Sequence, residues 1–208
     1  WSFDRGVEPN AAWWRAALGP DPRRILEIGC GHGGNLKIVR DLGHTVIGLE
    51  PDPTARAVAK AAGFEVHAGA AEELPSGVRD QRFDAIIFMH VLEHCLEPAL
   101  ALRNAYRLLE PGGLCIVEVP NNACLGVDHF GSAWYWLDVP RHLNFFTRKS
   151  IINLIINEGF DVIDYYFRGF TRQFSDEWIA MQSHIRSVLG LKNQNENRFI
   201  HLDYYKYV

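Results

Sequence analysis

Apolar positions along the chain alternate between two periods. Short runs of strand character cover Arg24–Ile28, Thr45–Leu49, Phe64–His67, Asp84–Met89 and Leu114–Val119. The run Asp84–Met89 is almost wholly apolar, as a strand covered on both faces must be. Between the runs, apolar residues recur at helical spacing over Asn35–Leu42, Pro53–Ala62 and Glu97–Leu109, and Pro111-Gly112-Gly113 marks a stop. Ala11–Leu18 predicts a helix ahead of the first strand, packed on a sheet edge or over a site. Beyond Pro120 the pattern loosens. Lys149–Glu158 predicts a helix ended by Gly159, and Phe160–Phe167 a sixth strand. Ser175–Leu189 predicts an amphipathic helix with Ser175 as N-cap, and Arg198–Val208 is aromatic and strand-like.

Short strands alternating with helices of about ten residues are βαβ units, and right-handed crossovers assemble them into a parallel sheet. The expected fold class is α/β: a Rossmann-like three-layer sandwich, a mostly parallel central sheet with helices on both faces. A length of 208 residues suits one domain. Within 1–208, residues 11–120 form the cofactor-binding core and 121–208 a substrate-side segment that completes the sheet. Tyr204–Val208 is the candidate for an antiparallel last strand.

The first strand runs into Leu26-Glu27-Ile28-Gly29-Cys30-Gly31-His32-Gly33-Gly34, and Gly29, Gly31 and Gly34 satisfy G-x-G-x-x-G at a strand-to-helix turn. Glu50 ends the second strand, 21 positions after Gly29. Glycines that admit a ligand to the backbone, with an acid in register for ribose hydroxyls, are a nucleoside-binding arrangement. Glu27 narrows the choice. An acid two residues before the first glycine repels a pyrophosphate and attracts an ammonium or a sulfonium. S-adenosylmethionine carries both cations and no phosphate, whereas NAD carries two phosphates.

Composition removes other classes. Apolar residues make up 48% and charged residues 22%, which is globular rather than disordered. The net charge of -4 forces no cationic surface, so neither nucleic acid nor an anionic membrane is an expected partner. No apolar run reaches the roughly 18 residues that span a bilayer. Trp1–Asn10 has no basic start and no apolar stretch, and lacks an initiator Met, so a trimmed start is expected rather than a leader. Cys30, Cys95, Cys115 and Cys124 lack CxxC spacing, which fits reduced thiols and a cytoplasmic location.

Four stretches together resemble class I S-adenosylmethionine-dependent methyltransferases, in particular the small-molecule group with a VLEH segment. They are ILEIGCGHGG, VIGLEPD, FDAIIFMHVLEH and LLEPGGLCIVEVPN, within Arg24–Asn121. The resemblance implies S-adenosyl-L-methionine as cofactor and S-adenosyl-L-homocysteine as product. Gly29, Gly31 and Gly33 would line its methionine and ribose portion, with Cys30 and Asn35 in the same set. Glu27 would act near the amino group, Glu50 would hold the ribose hydroxyls, and Pro51 would sit beside the adenine. His90 would lie by the cofactor at the end of the fourth strand. One position departs from the pattern: Ala70 stands where the family often has an acid for the adenine amino group. That passes adenine recognition to the Ala71 backbone or to Glu72.

His90-Val91-Leu92-Glu93-His94 also spells H-x-x-E-H. On a helix His90 and His94 would share a face that could bind zinc. No third ligand follows in sequence, so no metal is expected. The segment 128–147, DHFGSAWYWLDVPRHLNFFT, follows the fifth strand and so begins at the carboxyl edge of the sheet. Its aromatic residues and few polar groups suit a small organic acceptor, with Trp134, Trp136 and Arg141 as candidate contacts. Methyl transfer to a hydroxyl needs a base, and an imidazole titrates in the right range. His142 is the first candidate, followed by His129 and His94. The expected activity is O-methylation of a small molecule by in-line displacement, in a monomer or homodimer. An NAD-dependent oxidoreductase, or a degenerate nucleoside-binding module without turnover, are the alternatives. Loss of cofactor binding in Glu50→Ala, and of turnover in His142→Ala, would separate the two sets of residues.

Overall fold

A computed structural model describes residues 11–165, together with 167, 180, 183–185, 187, 188 and 190. Five parallel strands form one sheet: β1 (Arg24–Ile28), β2 (Thr45–Leu49), β3 (Glu65–His67), β4 (Phe83–Met89) and β5 (Leu109–Glu118), in the order β3-β2-β1-β4-β5. All four neighbouring pairs are parallel, and β1 meets both β2 and β4. β1 and β4 sit inside the sheet and are buried almost throughout, which is why β4 is nearly all apolar and β1 is apolar but for Arg24 at its exposed start and the buried acid Glu27.

Helices cover both faces. α1 (Ala11–Leu18) and α2 (Gly34–Asp41) pack Trp14, Leu18 and Val39 on Ile25, Ala85 and Ile87. α3 (Pro53–Ala61) adds Ala59 to a smaller cluster with Leu36 and Val66. The opposite face carries Leu26, Ile28, Ile86 and Phe88, under α4 (Ser76–Arg79), α5 (Pro98–Leu108) and α7 (Arg148–Asn157). Between β5 and α7 lie α6 (Leu125–Phe130) and two 3₁₀ turns, Gly131–Ala133 and Tyr135–Leu137. The helix starts follow local chemistry. Asp52 caps α3 by accepting from the Ala55 amide at 2.7 Å, with Pro53 at the first helical position. Thr147 and Ser150 close a reciprocal capping box on α7.

Three expectations change. Leu109–Glu118 is one strand rather than a helix end followed by Leu114–Val119; its pairing with β4 shifts register between Phe83 and Ala85, which absorbs Pro111, Gly112 and Gly113 as a bulge. Residues 160–165 are irregular, so the sixth strand expected at Phe160–Phe167 is absent there. Phe160 instead turns inward onto the cluster beneath α5 and α7, stacked edge-on against Tyr106. The helix α4 was not legible in the sequence, because four residues cannot display a period. Within Ser175–Leu189, residues 180, 183–185, 187 and 188 are helical. The first ten residues and Arg198–Val208, with the candidate antiparallel strand, lie outside the described residues. No helix among the described residues is long and apolar enough to cross a membrane.

Candidate functional site

In a sheet of this order the chain departs to opposite sides after β1 and β4, and their carboxyl ends open a crevice. The glycine loop leaves β1 there. Gly31 holds φ +53° and a Cβ on it would meet no atom within 4 Å, so the backbone is open at this point. Gly29, at φ +72°, is crowded instead: a Cβ would lie 2.5 Å from Val91 Cγ2. The loop after β1 therefore rests directly on the segment after β4, two regions about 60 residues apart.

Two buried carboxylates flank the loop, Glu27 at 2% and Glu50 at 7% exposure. Glu27 Oε1 accepts from Asn35 Nδ2 at 2.8 Å, which ties β1 to the first turn of α2. Glu50 accepts from the Gly31 amide and from the Asp52 amide, each at 2.8 Å, one per oxygen. Each oxygen keeps a second lone pair for a hydroxyl donor. The field is negative: burial, then Glu27 and Glu50, push the Cys30 thiol up to about 12. Cys30 Sγ packs inward against Gly48 rather than toward a ligand, and all four cysteines are free thiols. An open backbone between two carboxylates fits a ligand with hydroxyls and positive charge, and opposes a phosphate.

A cavity of about 430 Å³ lies beside Pro51, lined by Ala68, Gly69, Ala70, Leu74 and Pro75. The Ala71 carbonyl and Glu72 already have partners. Asn104 Nδ2 donates to both of their carbonyls at 3.0 Å, and Glu72 Oε1 accepts from the Leu96 amide at 2.8 Å ahead of α5. A larger cavity of about 620 Å³ lies away from the loop, with Glu72, Arg79, Asn104 and Arg107 in its mixed-charge wall.

His90 follows β4 at φ +57°, which turns the chain before the 3₁₀ turn Leu92–His94. His90 and His94 consequently do not share a helical face, contrary to the expectation for H-x-x-E-H. His90 Nε2 pairs with Glu118 at 2.9 Å and Nδ1 with Glu93 at 3.2 Å. Burial pulls the imidazole down, but the two carboxylates outweigh it and raise it to about 10.

The partner of His94 is His142, at 4.8 Å between ring centroids and 63° between planes. The segment that carries His142 is fastened to the 3₁₀ turn. Glu93 O accepts from the amides of Leu143 at 2.8 Å and Asn144 at 3.0 Å, and Asn144 Nδ2 donates to Cys95 O at 2.7 Å. His142 is 7% exposed. His94 Nδ1 donates to Arg141 O at 2.9 Å and His142 Nδ1 to Trp136 O at 3.0 Å. Glu93 completes the group. Its relative exposure is 1%, and its Oε2 makes no hydrogen bond.

Trp134 is buried and stacks on Phe130, with Trp136 packed against the same small cluster. Arg141 is exposed and pairs with Asp138 Oδ2 at 3.3 Å. Of His129, the described structure gives its place in α6. Sequence reading missed Glu93, Glu118, Asp138 and Asn144 as members of the site. The H-x-x-E-H string was the one visible signal for Glu93.

A methyltransferase-domain family model matches residues 5–165. A ubiquinone biosynthesis O-methyltransferase from Cereibacter sphaeroides is 31% identical over 153 residues, covering 68% of this chain and 61% of that protein. Among solved structures, an S-adenosylmethionine-dependent methyltransferase from Thermotoga maritima, described as a possible histamine N-methyltransferase, is 26% identical with a TM-score of 0.58, covering 74% of this chain and 70% of that one. A 1,6-didemethyltoxoflavin-N1-methyltransferase from Burkholderia thailandensis, solved with bound 1,6-didemethyltoxoflavin and S-adenosylhomocysteine, shares the fold at a TM-score of 0.61 and 21% identity over 81% of this chain and 74% of that one.

Proposed function

Because the chain belongs to the class I S-adenosylmethionine-dependent methyltransferases, we propose that it methylates a small-molecule acceptor, with oxygen as the accepting atom. The observation that carries this reading is the open glycine loop held between the buried carboxylates Glu27 and Glu50. S-adenosylmethionine is the cofactor of this domain and supplies a methyl group on a sulfonium. Glu50, fixed by the two amides it already accepts from, would receive the ribose hydroxyls. Glu27 and Asn35 would face the amino end. Pro51 and Ala70 would wall the adenine, in keeping with their shared cavity and with Glu72 being engaged at the start of α5.

His142 would act as the general base. Its Nδ1–H is committed to the Trp136 carbonyl, so in the neutral ring Nε2 carries the lone pair, and His94 is held the same way by the Arg141 carbonyl. Arg141, exposed beside Asp138, would meet an anionic group on the acceptor. Trp136 would line the acceptor side, with Trp134 supporting it from the packed cluster. The O-methyltransferase name of the Cereibacter relative favours oxygen, although the chain spans only 61% of that protein's length.

The test is calorimetric titration with S-adenosylhomocysteine, with NAD in parallel, on wild type, Glu50→Ala and His142→Ala. A hydrogen bond to a charged group contributes about 1.5–3 kcal/mol, so Glu50→Ala should weaken binding at least about tenfold. His142→Ala should leave binding intact and lower turnover on a panel of hydroxyl acceptors. An exchange of these two effects, or binding of NAD alone, would overturn the assignment.

A further inference from the structure

We propose that Glu93, His94 and His142 form a binding site for a divalent transition-metal ion of the Zn²⁺, Co²⁺ or Ni²⁺ class. One donor atom from each residue lies within 4.8 Å of the others, and no other trio of this kind occurs among the described residues. Sequence alone gave only the H-x-x-E-H string and no third ligand. The tertiary structure supplies it from the loop before α7, and replaces His90 by His142.

The two rings are prepared for a metal. A carbonyl oxygen can only accept, so the contacts of His94 Nδ1 with Arg141 O and of His142 Nδ1 with Trp136 O place a proton on Nδ1 of both rings. In the neutral ring the lone pair is then on Nε2, the atom a metal would take. Metal-binding histidines are characteristically held this way, with the second nitrogen donating to a backbone carbonyl or carboxylate. Glu93 adds an independent observation. Its carboxylate is 1% exposed, Oε1 faces His90, and Oε2 has no hydrogen-bond partner. A buried carboxylate oxygen with no donor is costly, and a cation bound there removes the cost.

Geometry and donor type select the ion. Two imidazole nitrogens and one carboxylate suit zinc, cobalt and nickel rather than calcium or magnesium, which want oxygen. Ligands about 2.0–2.2 Å from a zinc ion lie about 3.5 Å apart in a tetrahedron, so the trio must draw in by roughly an ångström. His94 is the least buried of the three. Asp138 Oδ2, 3.9 Å from His142 Nε2, can orient the ring or take a further position.

The site stands apart from the acceptor reading except in one consequence. Metal on Nε2 of His142 occupies the lone pair that the base would use, and the task of acidifying an acceptor hydroxyl passes to the ion.

The test uses the whole chain, stripped with chelator and titrated with Co²⁺. A single saturable equivalent with visible ligand-field absorption is expected, displaced by Zn²⁺. His94→Gln, His142→Gln and Glu93→Gln should each weaken it at least about tenfold, while His32→Gln, on the exposed part of the glycine loop, should not. Absence of a saturable band overturns the proposal. So does unchanged Co²⁺ affinity in His94→Gln, the variant least exposed to misfolding, when its thermal melt matches wild type. Turnover on hydroxyl acceptors separates the two readings: Zn²⁺ should change it in wild type and not in His94→Gln, whereas failure of His142→Ala to lower turnover in the stripped protein would remove His142 as the base and leave the metal site to the Co²⁺ spectrum.

Discussion

Placing alanine at Gly29 tests the contact on which the site is assembled. Two separate costs are expected. The residue sits at φ +72°, and a left-handed conformation costs an L-residue about 1–2 kcal/mol. The new Cβ would also lie 2.5 Å from Val91 Cγ2, where carbon atoms prefer about 3.5–4.0 Å. Val91 is β-branched and cannot swing its methyl groups away freely, so relief must come from the backbone at an overpacking cost of about 1–3 kcal/mol. Gly29→Ala should therefore destabilise by about 2–5 kcal/mol. Val91→Ala alone removes two half-buried methyl groups, at about 1 kcal/mol. In the double variant the overlap disappears and the left-handed strain remains. Urea unfolding of the four proteins should give a coupling of about 1–3 kcal/mol in the relieving direction. Gly31→Ala is the control. It has φ +53° but no atom within 4 Å, so it should pay the strain alone and show no coupling to Val91. Additivity of Gly29→Ala and Val91→Ala within about 0.5 kcal/mol would refute the contact and the reasoning built on it.

Two further predictions concern stability. His44 is buried and its Nδ1 accepts from the Arg23 amide at 3.2 Å, which requires the neutral ring. Burial, with the Arg23 charge second, lowers its pKa below the ordinary 6.5. The unfolded chain therefore takes up the proton first, and stability should fall as pH drops below about 6.5. His44→Gln should flatten that fall between pH 7.5 and pH 5 in urea melts, and an unchanged slope would count against the assignment. Asn144→Ala removes donors to Cys95 O and Leu92 O at 2.7 and 3.3 Å and should cost about 1–3 kcal/mol. Turnover should drop with it while S-adenosylhomocysteine affinity holds, because the loop carrying His142 loses its anchor; equal losses in both would contradict that role.

Local signals carried much of the fold. Largely apolar runs specified β1 and β4 because a strand covered on both faces has no polar side to display, Glu27 in β1 being the buried exception. The glycine loop was legible because it acts within a few residues of itself, whereas the caps Asp52 and Thr147, which act over the same range, were not read. The bulge in β5 and the irregular stretch after Gly159 were misread. A proline and two glycines look the same in sequence whether they stop a helix or are absorbed into a strand, and the apolar residues after Gly159 serve packing without pairing. The acid-flanked loop suggested its ligand from charge, since Glu27 lies two residues before Gly29 and Glu50 ends the strand that pairs with β1.

What the sequence determined, then, was everything set by periodicity, torsion and short-range charge: the alternation of strands and helices, the loop and its two carboxylates. The tertiary structure decided which distant groups meet. Gly29 rests on Val91, Glu118 faces His90, and His142 joins His94 and Glu93 because the sheet order places β1 beside β4 and β4 beside β5. The Asn144 and Glu93 hydrogen bonds then pin the returning loop. No period in the chain records such contacts, since side chains some fifty residues apart are brought together by the packing of whole elements and not by any pattern within one.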